Sequence, residues 1–305
     1  MRAIKIYNYI PGNRLDGKRV IALGFFDGVH LGHREIIRSA VTMAQKLSLP
    51  SAVFTFISES EGIKGDGRIY STEKKLALIE QLGIDEAIVA DFGAVKNVSA
   101  SDFVTDILLG ELGCAMALSG DDFRFGKGAL GNTEMLRELL QKNGANLISP
   151  SEVREGGEKI SSSRIKKLLS FGNVRKAAEL LGSPYFVRSE VRHGLGLGKS
   201  FGYPTVNTEI EEGEISLLSG VYKCSADIGT KTYDALSNVG TCPTVGDRKK
   251  HIETYILGFN GDLYGQSITI NFLDFIRPEM KFESANQLIM QIKLDITNTF
   301  HSEDN

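Results

Sequence analysis

Residues 20–33 read VIALGFFDGVHLGH, and how this stretch is parsed decides the fold of the first half. Val20-Ile21-Ala22-Leu23 is apolar and too short for a helix, which predicts a buried strand. Gly24 and the Asp27-Gly28 pair break the run. From Arg34 the period changes: Ile36, Ile37, Ala40, Val41, Ala44 and Leu47 fall on one helical face. His30-Leu31-Gly32-His33 therefore lies where a strand turns into a helix. Free backbone N–H groups and the positive end of the helix dipole attract anions there. Two imidazoles one turn apart add donors, and Gly32 lets a phosphate approach the backbone. Simple helix capping and zinc binding are the competing readings. Zinc needs further ligands; the other histidines are His193, His251 and His301, and there is no Cys-x-x-Cys pair. The strand–glycine–helix context favours a phosphate site.

Composition narrows the class. A chain of 305 residues is long for one core and comfortable for two domains. A net charge of −3 argues against broad nucleic-acid binding, so any phosphate site must be local. Cys114, Cys224 and Cys242 are odd in number and widely spaced, as in a reducing compartment. MRAIKIYNYIPGN has no apolar signal core, and no run is long enough to span a bilayer. A cytoplasmic protein is expected, with no membrane partner.

Through the first half, apolar runs alternate with amphipathic ones. Strands are predicted at Val20–Leu23, Ala52–Ile57, Glu86–Phe92, Ala115–Ser119 and Asn146–Ser149. Helices are predicted near Arg34–Leu47, Thr72–Leu82, Ala100–Leu112 and Thr133–Lys142, with Asn132 capping the last. Such alternation predicts a doubly wound parallel sheet, whose ligands bind beyond the strand carboxyl ends. A second candidate leaves another such end: Gly120, Asp121, Asp122, Phe123, Arg124, Phe125 and Gly126. Aromatics alternating with charge suit a planar heterocycle, with Arg124 free for phosphate, although both rings could equally pack inward. The third candidate is KISSSRIKKLL, residues 159–169, where serines open a helix and Lys166 lies one turn beyond Ser163.

Near Gly182 the character changes, which places domains at 1–182 and 183–305. Strand-like runs follow at Tyr185–Arg192, Gly220–Ile228, Thr232–Val239, His251–Phe259 and Ser267–Phe275, then one helix over Ser284–Thr299. A small antiparallel barrel with a terminal helix is expected. HGLGLGKS, residues 193–200, is almost a Walker A loop, but His193 breaks the pattern and Phe201-Gly202-Tyr203-Pro204 cannot begin the required helix. In PTVN, Thr205 and Asn207 point to one side of an extended segment and are hard oxygen ligands suited to Mg²⁺; the competing reading of Pro-Thr-x-Asn is a simple turn. Glu253, in HIETY, stands among apolar strand neighbours that would desolvate it and make it more basic; the competing reading is an exposed carboxylate on a polar face.

Taken together these motifs resemble the bacterial bifunctional riboflavin kinase/FMN adenylyltransferase family. GFFDGVHLGH is similar to its first motif, the HxGH signature of nucleotidyltransferases, and GDDFRFG to its GxDFRFG motif. ISSSRIK resembles ISSTxIR, with Ser163 in place of threonine and Lys166 in place of arginine. The family's FxPHP motif is replaced by Phe56-Ile57-Ser58-Glu59-Ser60. GKSFGYPTVN resembles GRxxGFPTAN, and the segment from Asn238 to Thr244, the turn Asp262-Leu263-Tyr264-Gly265 and the trio Arg277, Lys281, Phe282 match further barrel motifs.

The resemblance implies two ATP-dependent reactions, riboflavin to FMN plus ADP in the barrel and FMN to FAD plus pyrophosphate in the α/β half, with Mg²⁺. It implies His30, His33 and Glu253 as catalytic. ATP contacts would come from Gly24, Phe26, Asp27, Gly28, Gly32, Asp122, Arg124, Ser162, Ser163, Lys166, Gly198 and Lys199. Flavin contacts would come from Phe123, Phe125, Arg277 and Phe282, and metal contacts from Thr205 and Asn207. The departures leave room for a relative with one working half, or for a non-catalytic flavin sensor.

Overall fold

A computed structural model of the chain describes residues 3–57, 67–192, 202–241 and 250–300. By compactness it divides into Met1–Ser162 and Ser163–Asn305.

The first unit is built on six strands: β1 (Lys5–Asn8), β2 (Arg19–Leu23), β3 (Ser51–Phe56), β4 (Glu86–Ala90), β5 (Cys114–Leu118) and β6 (Asn146–Ile148). Their order is β1-β4-β3-β2-β5-β6, and every pairing is parallel. Strand β2 is buried along its whole length, as its unbroken apolar run requires. The edge strand β1 was not expected. It pairs on one side only, is largely exposed, and so carries little apolar signal. Apolar clusters cover both faces, one around Leu23, Phe54, Phe103 and Leu140, the other around Val20, Phe26, Ile37 and Ile79.

Helix α1 (Leu31–Leu47) begins three residues before the apolar periodicity shows, because His30 caps it. Helix α2 (Thr72–Glu80) and the turn α3 (Phe92–Val95) follow. The predicted Ala100–Leu112 helix starts as α4 (Ala100–Asp102), capped by Ser99, and continues as a π-helix over Phe103–Glu111. Helix α5 (Thr133–Lys142) has Asn132 as its cap, its side chain accepting from Met135 N. After β2 the chain moves to β3 on one side, whereas β5 lies on the other side of β2. The carboxyl ends of β2 and β5 therefore flank the point where the winding reverses. His30-Leu31-Gly32-His33 leaves one of those ends and the Gly120–Gly126 loop the other.

Between the sheet and the barrel lie the small hairpin β7 (Arg154–Glu155) and β8 (Glu158–Lys159), then helices α6 (Ser162–Ser170) and α7 (Val174–Leu181). The compact division falls at Ser162 rather than near Gly182, since α7 packs on strands of the second unit. Those strands are β9 (Tyr185–Glu190), β10 (Thr205–Glu209), β11 (Gly220–Ile228), β12 (Lys231–Thr241), β13 (Lys250–Ile256) and β14 (Ser267–Arg277). They form an antiparallel sheet ordered β10-β13-β12-β11-β14-β9, and the bridge Arg192↔Asn207 joins its two edges into a small barrel. Side chains alternate about it: Ile252, Thr254 and Ile256 are buried inside, while Glu253 and Tyr255 face out. Helix α8 (Ala285–Phe300) closes the chain.

Candidate active sites

In the first unit the two imidazoles stack, with ring centroids 3.5 Å apart and planes 18° from parallel. His30 caps α1 by accepting the His33 N–H on Nδ1 at 3.3 Å, which leaves the proton of its neutral ring on Nε2. Burial lowers the His30 pKa to about 4; the neighbouring Lys159 lowers it too, whereas a backbone hydrogen bond and Asp122 act the other way. His33 is held well below its ordinary value, first by burial and then by His30, Lys75 and Lys159. Both rings are thus neutral donors at neutral pH. His33 Nδ1 finds no hydrogen-bond partner among the described residues, as expected of a group placed for a ligand.

The glycines here serve side chains as much as ligands. A Cβ on Gly32 would stand 3.2 Å from the His30 ring, so the gap at Gly32 lets that imidazole fold back over the helix start. A Cβ on Gly24 would meet the Phe26 ring at 2.8 Å. Phe26 has φ of 54° and is buried beneath the loop, its ring edge-on to His33 at 5.4 Å. Gly28 takes a positive φ in the same turn. Two of the residues expected to contact ATP also have structural partners here. Phe26 props His33, and Asp27 is buried with Oδ1 accepting the Ile69 N–H at 2.8 Å.

The Gly120–Gly126 loop lies beside this pair. Asp122 forms an ion pair with Lys159 at 2.8 Å, and Arg124 is exposed. Phe123 is half-buried and stacks on Phe125 at 5.8 Å. Phe125 is 6% exposed, packs on Phe103 and covers Gly131, so it supports Phe123 and offers no surface of its own to a flavin. The Ser162 hydroxyl donates to the Asp27 carbonyl at 2.9 Å. Ser163 and Lys166 fall on α6 in the second unit, one exposed and the other half-buried. Gly198 and Lys199 lie outside the described residues.

One residue here gave no sequence signal. Lys75, in TEKKLALIE, reads as the solvent face of α2, yet it is fully buried. Its ammonium donates to the carbonyls of Phe25 and Phe56 and lies 4.8 Å from the Phe25 ring centroid, tying the ends of β2 and β3 together. Only the packing reveals it.

The second unit has a cavity of about 340 Å³. Thr205, Glu253, Arg277 and Phe282, drawn from four separate stretches of sequence, all line it. Tyr255, Asn238 and three α8 residues, Leu288, Ile292 and Asp295, contribute to its apolar and polar walls. Asn207 pairs with Glu253 across β10 and β13, and Asn238 pairs with Glu253 from β12. Register places Thr205, Asn207, Asn238 and Glu253 on one face. The surroundings expected of Glu253 are corrected: it is exposed, because its apolar neighbours Ile252 and Ile256 point into the barrel. Thr205 and Asn207 offer a hydroxyl and an amide oxygen beside that carboxylate, a donor set that fits a hard cation carried in with phosphate oxygens.

Fold and sites define a two-unit protein in which a parallel sheet carries a helix start lined by two imidazoles and a barrel carries a carboxylate-bearing cavity. A family model described as FAD synthetase matches residues 13–164, and one described as riboflavin kinase matches residues 181–302. The bifunctional riboflavin kinase/FMN adenylyltransferase of Bacillus subtilis (strain 168) is 34% identical over 91% of this chain and 90% of its own length. Its namesake in Escherichia coli (strain K12) is 32% identical, covering 90% of each chain. A crystal structure described as a macrolide-efflux protein from Streptococcus pneumoniae superposes with a TM-score of 0.87 at 28% identity, over 97% of this chain and 100% of that one. The chain belongs to the bifunctional riboflavin kinase/FMN adenylyltransferase family. No helix among the described residues is long and apolar enough to cross a membrane.

Proposed function

We propose that this chain converts riboflavin to FMN in its barrel and FMN to FAD in its α/β unit, using ATP in both. The observation that carries it is the presence of both family matches in one chain, each over a unit with its own site. In the barrel, Glu253 takes the proton of the riboflavin 5′-hydroxyl as its oxygen bonds to the γ-phosphorus of ATP, and the bond to the β-phosphate oxygen breaks to release ADP. An alcohol is a weak nucleophile at neutral pH, so a base is needed. The exposure of Glu253 suits a base that becomes enclosed only when substrate fills the cavity. Thr205 and Asn207 would hold Mg²⁺, which neutralises charge on the transferring group. Arg277 and Phe282 meet the flavin ring, and Gly198 and Lys199 are the phosphate contacts that the family motif implies.

In the α/β unit an FMN phosphate oxygen attacks the α-phosphorus of ATP, and pyrophosphate leaves. That nucleophile is already ionised, so no base is required. His30, His33 and the α1 N-terminus donate hydrogen bonds to the phosphates, with Ser162, Ser163, Lys166 and Arg124 adding to them. Phe123 offers its face to the flavin. The functional halves run 1–182 and 183–305, and the unpaired, buried Cys114 and Cys224 suit a cytoplasmic setting. Incubation with riboflavin and Mg·ATP, followed by chromatographic separation of flavins, should yield FMN and then FAD; unchanged riboflavin would refute the proposal.

A further inference from the structure

The barrel cavity holds an ion pair, Arg277–Asp295, whose buried carboxylate the mechanism above leaves unused. Asp295 of α8 is 4% exposed. Its carboxylate accepts Arg277 Nε at 3.0 and 3.1 Å and Nη2 at 2.8 Å, and Gln291 Nε2 donates to it at 2.8 Å. Arg277 Nη1 donates to the Pro278 carbonyl at 3.1 Å. These bonds fix the guanidinium plane and use one N–H on each of its three nitrogens. Each Nη keeps one more N–H, and Arg277 lines the cavity beside Phe282.

Docking α8 does not require this charge. Leu288, Ile292 and Asp295 share a helix face and all line the cavity, and a leucine at 295 would continue that stripe. A buried ion pair contributes little more to stability than an apolar pair of the same size. What it supplies is direction, since a carboxylate holding the Nε–Nη2 edge, with the Pro278 carbonyl on Nη1, leaves the guanidinium a single orientation.

We propose that Asp295 is a positioning residue for flavin binding: it aims the remaining N–H groups and flat face of Arg277 at a planar ring bearing carbonyl acceptors, the isoalloxazine of riboflavin. This rests on the assignment of the cavity as the riboflavin site. The test uses the full chain and measures riboflavin affinity by fluorescence quenching, which needs no turnover, beside KM and kcat for FMN formation. Asp295→Asn should weaken riboflavin binding and raise its KM about tenfold, the size of a lost charge-assisted hydrogen bond, with ATP KM and kcat nearly unchanged. In an Arg277→Ala background the same change should have almost no further effect, and adenylylation of supplied FMN should stay intact in both. Equal losses in the two backgrounds, parallel movement of the ATP KM, or unchanged riboflavin affinity would overturn the proposal. Should Asp295→Asn abolish the barrel's melting transition, Gln291→Leu carries the test. It should weaken riboflavin about threefold only when Arg277 is present, and no effect, or the same effect in both backgrounds, overturns the idea. Absence of FMN formation by the unmodified chain would instead refute the kinase assignment, with the coupling between Asp295 and Arg277 still readable from binding.

Discussion

In the proposed assignment, the sheet site and the barrel site handle the same triphosphate with opposite materials. At the end of β2 the imidazole donors are neutral and stacked at a helix N-terminus, and the Lys75 ammonium behind them is buried and bound to backbone carbonyls. On the barrel the groups are anionic and wet: Glu253 exposed, with hydroxyl and amide oxygens in register beside it. The contrast follows from the nucleophiles. A phosphate oxygen arrives charged and asks only for charge stabilisation and alignment, which desolvated dipoles deliver well. An alcohol must lose a proton, and its phosphate donor needs a cation, so carboxylate and hard oxygen ligands are required.

That division is broken most severely by removing one group from each side. His30→Ala or His33→Ala should cut FAD formation about a thousandfold while FMN accumulates, a loss typical of oxyanion donors. Glu253→Ala should slow FMN formation by about 10²–10⁴-fold, the usual worth of a general base, and leave FAD formation from supplied FMN untouched. Product analysis by chromatography distinguishes the cases. Equal loss of both activities in any one variant would dissolve the comparison.

The two sites were also unequally legible in the sequence. On the sheet, strand, glycine break and helix period placed His30 and His33 where a buried strand turns into a helix, because each signal is local. The supporting residues were opaque for the same reason. Lys75 sits in a run indistinguishable from a solvated face, and Phe26 and Phe125 carry nothing to say that their rings turn inward. On the barrel, alternation located the strands but not which face Glu253 would take, since its buried neighbours lie across the sheet. Asp295 did leave a trace: a charge on the apolar stripe of Leu288 and Ile292, seven and three residues before it. Strand β1 left none, being short, exposed and paired once.

A middle-sized effect separates the sites by pH. His30 has a folded pKa of about 4 against an ordinary 6.5, so between those values the unfolded chain binds the extra proton. Its contribution to stability is therefore complete above pH 6.5 and declines as the pH falls towards 4, with His33 acting in the same direction. Denaturant unfolding of the full chain, followed by a probe in the first unit, should show about 2 kcal/mol less stability from this histidine at pH 5 than at pH 7. His30→Asn should recover most of that difference. An unchanged pH dependence in the variant would mean that the histidine pair is not the desolvated, neutral structure on which the contrast depends.

The smallest expected effect concerns Lys166, the proposed nucleotide contact in adenylylation. Lys166 occupies α6 where the family motif has arginine, and Ser162 and Ser163 open the same helix. Lysine presents a compact, hydrated charge, whereas arginine presents a planar fork that can bond two phosphate oxygens at once. If Lys166 meets the nucleotide, Lys166→Arg should lower the ATP KM for adenylylation about twofold to fivefold, the gain of roughly one hydrogen bond to a charged partner offset by ordering the longer head. The riboflavin kinase KM for ATP should not move. A neutral substitution, Lys166→Met, should shift the adenylylation KM in the opposite direction by a larger factor. Because the imidazoles are neutral, this lysine would supply charge that the His30–His33 pair does not. An unresponsive KM in both variants would mean that the dipole and imidazole donors hold the phosphates without it, and would make the sheet site more purely a site of neutral donors.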